Sequence, residues 1–306
     1  MIVIVTFRPT ERDCCGKTKD GNQSFRMGWQ DVIEVSAEQF KRFQALIYRH
    51  SGIRLDDRKQ TLLTSRLQRR LRVLEMDDVD HYFAMVNRRG NPAELQELLD
   101  VITTNETSFF RTQQHFDWFS HEFITQMVGL ARKGRRKKLL RLWSAACSIG
   151  AEPYTLLFCL HDHRAKLADW KVEVLASDLS QTSLNTARQA RFGKRLIDGL
   201  SPNLTRRFFR ESTDNPNHFQ VREEFRNRID FFQHNLMRPL NRPPMDCIFL
   251  RNVLIYFDEP SKKIVLQNVT DALAKGGYLV IGPSEGIYGL ETPLTKISTF
   301  LYQKTT

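Results

Sequence analysis

The stretch "LLRLWSAACSIGAEPYTLLFCL", residues 139–160, restricts the possible folds more than any other part of the chain. A run of buried-type residues ends at Ser148-Ile149-Gly150 and passes directly into a helical pattern starting at Glu152. Nucleotide-binding folds hold their ligand at such a strand–turn–helix corner. The alternation continues: the spacing predicts strands over 139–144, 172–177, 229–233, 247–251 and 278–282, and a last hairpin within 296–303. Helices are predicted over 152–163, 180–190 and 260–274. Strands alternating with helices of this length imply a parallel sheet covered on both faces. Residues 191–228 break the pattern, with a polar "STDNPNH" between Phe208-Phe209 and Phe219. An inserted subdomain fits that segment better than a long structureless loop.

The region ahead of this sheet reads as wholly helical. Ser36-Ala37-Glu38 can cap a helix on which Phe40, Phe43, Leu46 and Ile47 recur at helical spacing, and Gly52 is a suitable stop. A second helix, 57–74, carries Leu63, Leu67, Leu71 and Leu74 on one face, with Arg66, Arg69, Arg70 and Arg72 between them. Two more are predicted over 80–87 and 92–102. The expected organisation is a poorly ordered leader over 1–34, an all-α domain over 35–105, a linker and helix over 106–138, and an α/β domain over 139–306 with its insertion near 191–228.

Composition narrows the partners and the compartment. The 306 residues carry a formal net charge of +11, which favours an acidic partner such as nucleic acid, anionic membrane or an acidic protein, or simply keeps the chain soluble. Cys14, Cys15, Cys147, Cys159 and Cys247 are odd in number and lack a C-x-x-C pair. That argues against a disulfide framework and a zinc site, and suits the cytosol. The apolar run 2–7 is too short for a signal peptide or a membrane span. In "CLHDH", His161 and His163 point to different helix faces, so exposed histidines near a helix end are expected rather than a metal site. "RKGRRKK", 132–138, reads as a solvated loop or a nonspecific anion patch.

The strand ends carry the chemistry. Asp178 ends the second strand, where an acid can hydrogen-bond a ribose diol or start the next helix as an N-cap, as Ser180 also can. Its distance from Gly150 exceeds the roughly 20 residues of a dinucleotide site. At the first turn a pyrophosphate needs several glycines and would be repelled by a carboxylate. Here there is one glycine, and Glu152 occupies the helix start. The helix dipole keeps that carboxylate ionised, so it can receive an ammonium group. S-adenosylmethionine offers an ammonium, a ribose diol and an adenine, and no phosphate.

Several stretches in order resemble the chemotaxis-receptor methyltransferase (CheR) family: "TTNETSFFR" (103–111), "WSAACSIGAEPYTL", "ASDLSQTSLNTAR", "DCIFLRNVLIYF" and "GPSEG". The resemblance runs from about Phe40 to Tyr302 and implies a Rossmann-like methyltransferase domain using S-adenosylmethionine and releasing S-adenosylhomocysteine. It implies that Asn105, Thr107 and Arg111 close over the cofactor, that Glu152 and Asp178 hold its amino-acid end and ribose, and that Asn235, Leu236, Arg251 and Asn252 line its adenine and methionine sides. Tyr256 would lie near the transferred methyl, with Arg111 and Tyr256 orienting the reactants. Ala151, Ile149, Leu250 and Pro283 depart from the family's motifs, whereas Glu152 is kept. The implied reaction is methyl esterification of glutamates on acidic helices of methyl-accepting chemotaxis receptors, with Arg66, Arg69, Arg70 and Arg72 attracting that surface. A monomer without membrane insertion, metal or nucleic-acid partner is expected. The alternatives are a nucleic-acid methyltransferase, suggested by the basic charge, and a noncatalytic cofactor-binding signalling module.

Overall fold

The computed structural model describes residues 34–88, 91–103, 105–212, 215–287 and 292–305. Apart from Glu34, the expected leader lies outside the described residues, as do Cys14, Cys15 and the apolar run 2–7. Four helices come first: α1 (Ala37–Ser51), α2 (Gln60–Val73), α3 (Val79–Asn87) and α4 (Pro92–Ile102). Ser36 and Gln39 form a capping box at the start of α1, and Gly52 closes it in the left-handed conformation at φ 73°. The apolar faces of these helices meet in one core that includes Phe43, Ile47, Leu63, Leu67, Leu71, Tyr82 and Leu98. Each recurs at three- or four-residue spacing, so the helical period alone aligns them.

The connecting segment folds into α5 (Gln113–Asp117), a π-helical turn over Trp118–Phe123, and α6 (Ile124–Arg132). It covers one face of the sheet, where Phe116 stacks on Phe249 and Phe119 meets the same ring edge-on. The sheet domain then runs β1 (Leu139–Ala145), α7 (Ala151–Asp162), β2 (Lys171–Asp178), α8 (Gln181–Gln189), β3 (Arg191–Gly193), α9 (Lys194–Ile197), α10 (Pro202–Phe208), β4 (Phe209–Glu211), β5 (His218–Val221) and α11 (Glu223–Arg226). It ends with β6 (Ile229–Gln233), β7 (Met245–Leu250), α12 (Glu259–Asp271), β8 (Leu273–Ile281), β9 (Leu294–Lys296) and β10 (Leu301–Lys304). The large sheet has the order β6-β2-β1-β7-β8-β10-β9. The first five of these strands are parallel, and the hairpin β9–β10 adds antiparallel to β8.

Strand order reverses at β1, which lies between β2 and β7 and leaves a crevice at their carboxyl ends. The segment that broke the alternation is a three-stranded antiparallel sheet, β3-β5-β4, with short helices. It packs over α7, which is therefore buried almost all round. Phe158 of α7 stacks on Phe208 at 4.1 Å between centroids, and Phe109 meets Phe192 and Phe209 edge-on.

Two surface readings change. His161 and His163 are half-buried rather than exposed: His161 lies against Phe208 and Phe225, and His163 shares a hydrogen bond with Ser120. In the basic stretch, Arg136 turns inward to pair with Asp246 at 3.0 Å and covers the Trp170 ring. Its long aliphatic stem allows the guanidinium to reach a half-buried carboxylate from a loop.

Candidate active site

The carboxyl ends of β1, β2 and β7 open into a cavity of about 320 Å³. Its walls come from both halves of the chain. The helical domain supplies Ser51, Ile53, Leu55, Lys59 and Leu62, and the segment after α4 supplies Asn105, Glu106, Thr107 and Arg111. The sheet domain supplies Ser148, Glu152, Asp178, Asn235, Leu236, Arg251, Asn252 and Tyr256. All nine residues expected to contact the cofactor, and Tyr256, thus meet around one space.

The backbone here is unusually strained. Ala146, Ser148 and Asn252 line the cavity at φ 62°, 51° and 57°, and Phe110 and Thr112, either side of Arg111, lie at 52° and 62°. Non-glycine residues rarely adopt positive φ, and such strain concentrates where a ligand site is held in shape. Gly150 is fixed by both φ 93° and space, since a Cβ there would meet the Ala187 Cβ at 2.9 Å. The turn's amides are already engaged: Ser148 N–H donates to Asp178 Oδ2 at 2.7 Å, and Gly150 N–H donates to the Cys147 carbonyl at 3.0 Å. No amide cradle for a pyrophosphate is left at these positions.

Asp178 accepts from Ser148 N–H and, at 2.9 Å, from Ser180 N–H, while the Ser180 hydroxyl caps α8. The helix-start reading of this region is thus met by Ser180, with Asp178 holding the Ser180 amide. Each Asp178 oxygen keeps a further acceptor position, as a ribose diol requires. Burial pushes its carboxyl above the ordinary aspartate value, against the opposing pull of the two amide hydrogen bonds.

Glu152 differs from expectation. Its Oε2 pairs with Arg251 Nη1 at 3.0 Å, and its Oε1 accepts from the Ser144 hydroxyl at 2.7 Å. The carboxylate at the mouth of α7 is thus a neutralised, buried pair rather than a lone anion. Sequence spacing could not show this, because the partner comes from β7's end, 99 positions away. Arg251 also donates to the Arg111 carbonyl and faces the Phe116 ring.

The loop carrying Asn252 and Tyr256 depends on a residue that motif reading quoted without a role. Glu285, in "GPSEG", is 4% exposed and accepts 2.7 Å hydrogen bonds from the amides of Asn252, Leu254 and Gly282. A buried carboxylate that has to be matched by three donors was a readable signal in that motif. Burial pushes the Tyr256 phenol up, with Arg111 opposing, so it stays protonated at neutral pH. Asn235 donates to the His50 carbonyl at 2.7 Å, which ties the β6 end to the helical domain. Leu236 is buried, and its carbonyl accepts from Asn268.

The arginine ridge on α2 divides. Arg70 forms a half-buried bidentate pair with Glu94 and also reaches Glu97. Arg66 donates to the Ile102 and Thr103 carbonyls at the end of α4. Arg69 and Arg72 stand exposed. Facing the bundle core, Arg66 and Arg70 meet acceptors that a helical wheel drawn for one helix cannot include.

Residues 38–103 match the family described as CheR methyltransferase, all-alpha domain, and residues 105–302 match CheR methyltransferase, SAM binding domain. The chain belongs to the CheR methyltransferase family. Chemotaxis protein methyltransferases of similar sequence include one from Salmonella typhimurium, 35% identical over 88% of this chain and 91% of its own length. The Escherichia coli relative is 34% identical over 92% and 94%, and that of Borreliella burgdorferi is 32% identical over 84% and 91%. This CheR methyltransferase is an S-adenosylmethionine-dependent enzyme of chemotaxis, built as an all-α domain followed by a cofactor-binding α/β domain. Among the described residues no helix is long and apolar enough to cross a membrane.

Proposed function

We propose that this CheR methyltransferase esterifies glutamate side chains on acidic helices of chemotaxis receptors, acting as a cytoplasmic monomer. The observation that carries the reading is the meeting of Arg111 and Tyr256 with the acid-lined cavity at the sheet's switch point. When bound, S-adenosylmethionine supplies an electrophilic sulfonium methyl. An acceptor glutamate, with an ordinary pKa of about 4.3, is already ionised at neutral pH and needs no general base. Its carboxylate oxygen forms a bond to the methyl carbon as the carbon–sulfur bond breaks, giving a neutral ester and S-adenosylhomocysteine, and no proton moves. The chain's residues therefore orient the reactants and exclude water, a contribution of up to about 7–11 kcal/mol in favourable cases. Asp178 holds the ribose, and Asn105, Thr107 and Asn235 close around the nucleoside. Leu236 and Asn252 complete the wall, and the Glu152–Arg251 pair sets the methionine end. Arg111 and protonated Tyr256 donate toward the reacting groups. Exposed Arg69 and Arg72 draw in the acidic helix.

The decisive experiment is transfer of labelled methyl from S-adenosylmethionine to receptor cytoplasmic fragments, with release of the label by mild alkali as the mark of an ester. Label that resists alkali, or that appears on RNA instead, overturns the reading. Asp178 adds a pH test. It must be ionised to accept two hydroxyls, and its carboxyl titrates above the ordinary 3.8. Cofactor affinity is therefore expected to fall on acidification starting above that value, and Asp178→Asn is expected to be weak and nearly pH-independent across the same range. Titration calorimetry checks both.

A further inference from the structure

Polar atoms sealed inside a folded chain are nearly always paired. A buried donor and a buried acceptor that both lack partners therefore call for a common explanation. Among the described residues, Arg251 Nε and His115 Nδ1 are two such atoms. Arg251 directs Nη1 to Glu152 at 3.0 Å and Nη2 to the Arg111 carbonyl, which leaves its Nε–H without an acceptor. His115 is 1% exposed, and no step of the methyl transfer has used it.

The short helix α5 brings the imidazole to this place. It follows Arg111 and Thr112 directly, and the His115 amide donates to the Thr112 carbonyl at 3.0 Å. The next residue, Phe116, stacks on Phe249 of β7, and the Arg251 guanidinium lies 5.4 Å from the Phe116 ring centroid. The turn that carries His115 is thus seated against the strand that ends at Arg251. The imidazole stacks on Phe300, with centroids 4.2 Å apart and planes 19° apart. The Phe300 carbonyl in turn accepts from the Ile281 amide at the end of β8, so the ring has a fixed support. Burial, reinforced by the charge of Arg251, pushes the imidazole down to about 3, so it is neutral at physiological pH. A neutral imidazole has one unprotonated nitrogen, which can accept a hydrogen bond without bringing a second charge into the interior.

We propose that His115 is a positioning residue for Arg251: its Nδ1 accepts the Arg251 Nε–H and fixes the guanidinium that braces Glu152 and the Arg111 carbonyl. This rests on the role given above to the Glu152–Arg251 pair at the methionine end of the cofactor. Hydrogen bonds at such sites commonly tighten only in the loaded enzyme, and this one closes when the methionine end settles on the pair. A neutral acceptor suits the position. A second carboxylate there would compete with Glu152 for the same cation and leave the interior with a net negative charge. The imidazole holds the far edge of the guanidinium and leaves its charge to Glu152.

The test measures S-adenosylmethionine affinity by calorimetry and stability by urea denaturation in two variants of the full chain. His115→Phe keeps the stack on Phe300 and removes the acceptor, and its cofactor affinity is expected to fall about tenfold. His115→Asn loses the ring but can place an amide oxygen near the Nδ1 position. It is expected to bind the cofactor within about threefold of wild type while being the less stable of the two. A merely structural role predicts the same order for affinity and stability, and that result overturns the assignment. So does His115→Phe binding within about twofold of wild type. Nitrogen-15 NMR of the wild-type chain gives a reading that needs no variant to fold. Exchange of the Arg251 Nε–H with water is expected to slow at least about tenfold when S-adenosylmethionine is added, and unchanged exchange overturns the proposal. Normal cofactor affinity in Arg251→Met would instead refute the methionine-end role on which this rests, whatever the His115 variants do.

Discussion

Arg251→Met is expected to unfold about 3–5 kcal/mol more easily than the natural protein and to lose measurable cofactor binding. The arginine side chain is 2% exposed and its partner Glu152 is 12% exposed, so removing the cation strands a carboxylate in the interior. Methionine replaces the aliphatic stem, so a simple cavity is a minor part of the loss. The guanidinium also holds the Arg111 carbonyl, and that anchor disappears with it. Urea denaturation measures the first effect and calorimetry the second. Adding Glu152→Gln removes the stranded charge and is expected to restore more than half of the stability while leaving cofactor binding weak. A single variant within about 1 kcal/mol of wild type would show that the pair is solvated rather than buried.

Glu285→Ala is the second large effect. Three amides lose their acceptor together, and each buried, unsatisfied N–H costs about 1–3 kcal/mol. The consequence is also catalytic, because the loop they hold contains Asn252 at φ 57° and ends at Tyr256. Without the carboxylate the left-handed turn relaxes toward ordinary backbone, and Tyr256 leaves its place beside Lys59 and Arg111. At temperatures where the variant remains folded, kcat is expected to drop at least a hundredfold. Glu285→Gln keeps one acceptor oxygen and is expected to fall between. Comparing kcat at 15 °C with the unfolding midpoint separates the two losses. Near-normal turnover in folded Glu285→Ala would remove Glu285 from any role in placing Tyr256.

Those two residues mark where sequence reading stops. Periodicity places α1, α3 and α4 within a residue or so and α2 three residues early, at a 3-10 turn over Asp57–Lys59, because Phe43, Leu67 and Tyr82 each repeat the spacing of one buried face. β6 fell at 229–233 as expected, since a short apolar strand between polar turns has little freedom in its ends. The start of β8 did not. It begins at Leu273 rather than 278, because Leu273 pairs with Met245 across a register break that Gly276 at φ 77° and Gly277 permit. A two-glycine interruption looks like a turn in isolation and becomes strand only beside its neighbour. The same limit applied to charge. Within its own helix Glu152 reads as a lone anion, and Arg66 and Arg70 read as facing an acidic partner, whereas their partners lie at β7's end and at α4. Local spacing shows which groups can reach a face; it does not show what awaits them there.

The start of α8 has one more consequence. Four successive amides there are satisfied by three side chains: Ser180 N–H by Asp178, Gln181 and Thr182 N–H by Asp100, and Ser183 N–H by the Ser180 hydroxyl. Asp100 belongs to α4, so a helix of the catalytic half is finished by an atom group lent from the all-α half. The two halves are therefore not modules joined by a tether. Cutting the chain after residue 103 would leave two orphaned donors next to the aspartate on which nucleoside recognition turns, and neither fragment would inherit the pocket intact.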